Sequence, residues 1–271
     1  MVDKEKLLEQ VNRSGFPLQL AVEHAVSGNS GRNRGWKVYS QEHSWKNDFS
    51  GTSGFIDLVL IDRYQSSMMV VECKRVQNTH WIFLNNDSKQ MQRRHCKPWI
   101  TLIEGDKAKK FDWANLAIDP TSPESSFCVV AGQDPKSRPL LERLAAEANE
   151  ATEAFAREDL PVLLSNNGEL RIYYNVIVTT AELVVCEVES DVISLASGTV
   201  DSASFSSVPY VRFRKQLSVD RTVDSTAQYC GPPFREKENT VFVVNSKHLL
   251  EFLEQYDVEE SSIKGAIREM R

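Results

Sequence analysis

The stretch GFIDLVLIDRYQSSMMVVECKR, Gly54 to Arg75, constrains the fold more than any other part of the chain. Its two strongly apolar runs, GFIDLVLID and SSMMVVECK, read as strands separated by the polar tetrad RYQS. Side chains alternate along a strand, so Phe55, Asp57 and Val59 share one face, and Met68, Val70, Glu72 and Lys74 share one face of the next. With RYQS as a four-residue loop, the hairpin midpoint falls between Tyr64 and Gln65, and Asp57 stands directly opposite Glu72. Opposed residues face the same side with Cβ atoms about 4.5–5.5 Å apart, and a one-residue slip would separate them.

Charges within apolar strands are costly to bury unless they are paired or hold a metal. Two carboxylates that close repel unless a cation lies between them, and hard oxygen ligands favour magnesium or manganese. Lys74, two residues beyond Glu72, points the same way, and an ammonium there can orient an attacking water and offset charge on a phosphate. The plainer reading makes Asp57 a strand-end hydrogen-bonding residue and Glu72–Lys74 a surface pair on an edge strand.

The pattern Gly-x-x-Asp, apolar strand, short turn, apolar strand, Glu-x-Lys resembles the PD-(D/E)xK nuclease superfamily, with Ile56 where the family name has proline. The resemblance covers roughly residues 15–132, read as helix, three strands, helix and strand. It implies an α/β fold: a mixed central sheet flanked by helices, the restriction-endonuclease-like core. It further implies that Asp57, Glu72 and the Cys73 backbone carbonyl hold magnesium or manganese, that Lys74 is catalytic, and that the substrate is nucleic acid, with DNA expected before RNA. A glutamate on the helix before the first strand often completes such sites; Glu23 in LAVEHAV fits, and Glu42 on the first strand is the alternative. A polar residue on the following helix is also frequent; Gln90 fits, with Gln92 as its competitor.

Elsewhere the sequence predicts a short amphipathic helix over 3–12, a second opened by Pro17, and a strand over WKVYSQEHSW. It predicts a basic helix over 87–97, a short buried strand in FCVVAG and a long helix from Arg138 to Glu158. After the NNG turn come strands in ELRIYYNVIVTT, ELVVCEV and SSVPYVRFRKQL, then a strand running into a helix in NTVFVVNSKHLLEFLEQY with Asn245 or Ser246 as cap. A composition shift at QDPKSRP suggests a core over 1–135 and an α/β extension over 136–271, which equally could continue the first sheet.

The formal charge of −6 argues against a chain coated in basic groups, yet Arg63 to Lys110 holds ten Lys and Arg against four Asp and Glu. Arg75, Lys89, Arg93, Arg94 and Lys97 are the candidates for a nucleic-acid backbone, and Arg32 or Arg34 in GNSGRNRG for a phosphate cradle, against plain readings as a solvated helix face and a connector. Trp81 and Trp99 read as core before they read as base-stacking platforms. Five scattered cysteines without a CxxC suit reduced thiols in a cytoplasm rather than zinc or disulfides. No run is long and apolar enough for a membrane span, and the charged N-terminus does not suggest export. The expected protein is a magnesium-dependent nuclease of host defence, restriction or repair, working alone, as a homodimer or with a recruiting partner. The alternative is a catalytically inactive nucleic-acid-binding or scaffold protein on the same fold.

Overall fold

A computed structural model describes residues 3–270 apart from 29–30, 32, 49, 78, 87–90, 105–106, 135, 167–168 and 218–236. In chain order it begins with α1 (Lys4–Arg13), whose first turn is capped by the Asp3 carboxylate, and α2 (Phe16–Gly28). The strands β1 (Lys37–Lys46), β2 (Ser53–Ile61) and β3 (Ser67–Lys74) follow. Then come β4 (His80–Asn85), β5 (Arg93–Cys96), β6 (Trp99–Glu104), β7 (Lys107–Trp113), β8 (Leu116–Ser122), β9 (Glu124–Ser125) and β10 (Phe127–Val130). The long helix α3 (Leu140–Ser165) leads to β11 (Leu170–Thr179), β12 (Glu182–Glu187), β13 (Ser204–Val208), β14 (Tyr210–Gln216) and β15 (Glu238–Asn245). The chain ends in α4 (Leu249–Gln255), β16 (Asp257–Val258) and α5 (Glu260–Met270).

The fold is α/β with a mixed central sheet in the order β1-β2-β3-β11-β15-β14-β9, with β6 and β7 joined to the start of β11. β1, β2 and β3 form an antiparallel meander, whereas β11 runs parallel to β3 from Ile172↔Ser67 to Thr179↔Lys74. Residues on both sides of 133–138 therefore build one sheet. A parallel neighbour needs a crossover, and α3 supplies it.

Alternation along the strands divides the core into two layers. Leu58, Leu60, Met69, Val71, Tyr174 and Val176 pack with Leu18, Val22 and Val26 of α2 and with Phe252 and Ala266 of α4 and α5. On the opposite side Val59, Ile61, Met68, Val70 and Tyr173 pack with Ala151, Ala154 and Phe155 of α3. The first turns of α3 also pack Leu141, Leu144 and Ala145 against a second sheet, β10-β4-β12-β13, through Trp81, Phe83, Leu183 and Val185. Trp81 and Trp99 are thus core residues.

Several local expectations change. Residues 93–96 are strand, not helix: His95 is exposed and Cys96 fully buried, and Arg94 is clamped by Asp119 of β8. The rest of that expected helix includes 87–90, outside the described residues. FCVVAG forms β10 at a sheet edge, with Phe127 63% and Val129 52% exposed rather than buried. SSVPYVRFRKQL is broken at Pro209, which has no N–H for a ladder, into β13 and β14 in different sheets. The strand beside β3 is β11, reached through α3, so residues 75–138 lie in sequence between β3 and its crossover helix. α3 runs seven residues past Glu158, through Pro161, because Asp159 and Leu163 beyond that point are buried. No helix among the described residues is long and apolar enough to cross a membrane.

The buried end of α3 is fixed by charge. Asp159 accepts from the Arg171 guanidinium and from the Tyr173 hydroxyl (2.7 Å), and Arg171 also donates to the Gln65 carbonyl (3.1 Å). The Asp159 and Arg171 side chains are 1% and 2% exposed. Asp159→Ala leaves a buried guanidinium without its counter-charge and is expected to cost about 3–5 kcal/mol. Urea denaturation measures this, and a loss below about 1 kcal/mol would show that Arg171 is satisfied without Asp159.

Candidate active site

The β2–β3 turn sets the register. The Asp62 carboxylate accepts from the backbone N–H groups of Ser66 (2.8 Å) and Ser67 (3.0 Å), and Gln65 takes a left-handed φ of 58°. Arg63–Ser66 is the four-residue loop, and the ladder runs from Ile61↔Met68 to Leu58↔Val71. One step further, Asp57 and Glu72 are level but no longer paired. On the other side of β2 the ladder also skips this level, passing from Gln41↔Leu58 to His43↔Ile56. The skipped residue of β1 is Glu42, whose φ is 47°. Glu42, Asp57 and Glu72 therefore lie level on three neighbouring strands where the pairing opens.

Side chains replace the missing ladder bonds. The Cys73 N–H donates to Asp57 Oδ2 at 2.6 Å. Gln19 of α2, buried, donates through Nε2 to Glu42 Oε1 (2.6 Å) and to the Asp57 carbonyl (3.1 Å). The Thr179 hydroxyl donates to the Lys74 carbonyl at 2.8 Å, tying the end of β3 to β11. From the other layer, Glu147 of α3 lines a narrow space with Glu72, Leu144, Ala148 and Ala151.

The electrostatics follow from this crowding. Burial, then the charges of Asp57 and Glu147, push the Glu72 carboxyl up to about 8, with Lys74 opposing and Glu42 adding to the rise. Burial also raises Asp57; the Cys73 N–H pulls it down, Glu42 raises it, and Lys74 lowers it. The buried Cys73 thiol is pushed up as well, which rules out a ready thiolate. Four carboxylates, Glu42, Asp57, Glu72 and Glu147, thus act on one place with the single ammonium of Lys74 among them.

Of the other sequence candidates, Glu23 is half-buried one turn beyond Gln19 on α2, and its charge is not among those acting on Asp57 or Glu72. Arg32, Lys89 and Gln90 lie outside the described residues. Arg75 is half-buried just past Lys74. Arg34 donates to the Tyr256 carbonyl (2.7 Å), Arg93 lies 3.7 Å from Glu124, and Arg94 holds both Asp119 and Glu259. These three arginines are committed within the chain rather than forming an open basic face. Gln19 and Glu147 were not singled out in the sequence: Gln19 sits one turn before the expected Glu23, and Glu147 is one of several evenly spaced acids in a helix placed outside the core.

The donor chemistry fits a hard divalent cation. Among the described residues no three His, Cys, Asp or Glu side chains converge as a ready-made cage. Magnesium, however, needs only one or two carboxylates and retains several waters, so Asp57, Glu72 and the Cys73 carbonyl suffice. No family model, curated protein or solved structure matches this chain.

Glu72 binds its proton more tightly folded than unfolded, so its contribution to stability is complete below the ordinary carboxylate range and is lost as pH rises through about 8. Metal-free protein is therefore expected to lose stability, by several kcal/mol, between pH 5 and 9, with magnesium restoring it mainly above pH 7. Glu72→Gln should flatten both effects in denaturation curves recorded with EDTA or magnesium. An unchanged pH profile in that variant would locate the titration elsewhere.

Proposed function

We propose that this protein is a metal-dependent nuclease that hydrolyses phosphodiester bonds, in DNA before RNA. The observation that carries the reading is the level set of Glu42, Asp57 and Glu72 at the opened end of the hairpin, with Lys74 beside it. The order α2, β1–β2–β3, α3, β11, with β11 parallel to β3, supports it, because helix, three strands, helix and strand is the core that the resemblance implies.

In this reading Asp57, Glu72 and the Cys73 carbonyl hold magnesium or manganese. When bound, the cation withdraws charge from the phosphate and makes a water easier to deprotonate. Lys74 donates a hydrogen bond to the attacking water and offsets charge developing on the phosphate. Gln19 holds the Glu42 carboxylate and the Asp57 carbonyl in place, and so acts as a positioning residue. In this reading the setting is the cytoplasm, with host defence, restriction or repair as the role.

The test is cleavage of single- and double-stranded DNA and RNA, linear and circular, with magnesium or manganese. Glu72→Ala and Lys74→Ala are each expected to lose at least about 100-fold in rate, while circular dichroism stays native. Strand binding without cleavage across all substrates and both metals would instead establish the non-catalytic reading.

A further inference from the structure

At the other end of the β2–β3 hairpin lies a half-open cavity of about 630 Å³. It opens five residues along β2 from Asp57, a span of about 16 Å. Its floor is the buried Trp36 and a closed hydroxyl chain in which Tyr256 donates to Ser67 (2.7 Å) and lies 3.0 Å from the Tyr174 hydroxyl. Its rim carries Arg34, Arg63 and the exposed ring of Tyr64.

The two rim turns are built rather than loose. Arg34 and Gln65, both non-glycine, hold left-handed φ values of 51° and 58°, a conformation that ordinary residues avoid. Asn33 is fully buried and pins the first turn by donating to the Val26 (2.9 Å) and Trp36 (2.8 Å) carbonyls. Gly35, at φ 82°, lets the turns touch: a Cβ there would come within 3.1 Å of Arg63 Cβ. Strain of this kind persists where the surroundings over-determine it, and it clusters at ligand sites.

The charges point to an anion. The lining acids are already engaged: Asp62 accepts from two backbone N–H groups and the Ser66 hydroxyl, and Asp257 lies 3.7 Å from Arg34. Arg63 pairs with no carboxylate among the described residues; its guanidinium lies over the Tyr64 ring at 4.4 Å. A guanidinium of this kind recognises phosphate bidentately, and the face of the Tyr64 ring that it leaves uncovered offers a stacking surface for a planar base. The volume lies in the range of whole small-molecule sites and exceeds what a phosphate alone would fill.

We propose that this cavity is a nucleotide-binding site, with the phosphate held by Arg63 and the base stacked on Tyr64. It is separate from the acidic site and does not depend on the nuclease reading. The ligand is a free nucleotide or the phosphorylated end of a strand, which share this chemistry.

The experiment titrates the full chain in EDTA with each of the four 5′-ribonucleoside monophosphates, with inorganic phosphate, with adenosine, and with a 5′-phosphorylated DNA tetramer, by calorimetry and chemical-shift mapping. At least one monophosphate or the tetramer should bind at least tenfold more tightly than phosphate or adenosine. Arg63→Ala and Tyr64→Ala, both exposed and outside the core, should each weaken it at least tenfold, and Glu72→Gln should leave it unchanged. Binding by the monophosphate alone identifies a free nucleotide, and by the tetramer alone a strand end. Absence of binding by all of them at millimolar concentration, or binding indifferent to both rim variants, overturns the proposal.

Discussion

The seating of α3 across the central sheet is the constraint on which the rest of the molecule depends. It rests on buried polar contacts as well as on apolar area. Asn175 of β11 donates to Asn149 (2.6 Å) and accepts from Thr152 (2.5 Å), while Asp159 holds Arg171 and Tyr173 at the far end. Such contacts are directional and expensive to leave unmade, so they fix where the helix lies along the strand more sharply than alanine packing can. With α3 in that register, β11 runs parallel to β3, and Glu147 is carried to Glu72. The acidic site is therefore assembled by the crossover as much as by the hairpin that holds its central residues.

The site itself is a local failure of strand pairing. At the level of Asp57 the β2–β3 ladder ends and the β1–β2 ladder skips a pair, and the groups left over are satisfied by Asp57 Oδ2 on one side and Gln19 on the other. The same opening brings carboxylates together in a half-buried place with one ammonium among them. Burial first, and then their mutual repulsion, raise Glu72, and either a proton or a cation relieves the repulsion. A carboxyl pushed up to about 8 can exchange its proton for a cation near neutral pH.

The hairpin was legible in the sequence because strand alternation and a four-residue turn leave only one register that keeps both apolar faces buried. Asp62 and Gln65 then realise that register in the turn. The crossover was not legible. The long helix beginning at Leu140 is evident from its alanines and leucines, but nothing local says that it, rather than residues 87–97, follows β3 in space. That depends on a contact of long sequence separation, Lys74 beside Thr179. Pro161 likewise reads as a helix end unless the burial of Asp159 and Leu163 around it is known. The opening of the ladder at Glu42 was invisible for a further reason: a left-handed glutamate carries no sequence signature, since only glycine and asparagine adopt that conformation cheaply.

Strain links the two ends of the hairpin. Among the described residues three non-glycines have positive φ, namely Arg34, Glu42 and Gln65. Each costs about 1–2 kcal/mol relative to an ordinary conformation. Glu42 stands at the acidic site, and Arg34 and Gln65 stand in the two turns that shape the cavity at the opposite end. The backbone departs from cheap conformations at these places, and such departures mark where a chain has been held to something other than stability. The central hairpin is thus a rigid, apolar rod with a constrained polar site at each tip. The buried ladder between the tips, Leu58 to Ile61 against Met68 to Val71, keeps the two sites apart.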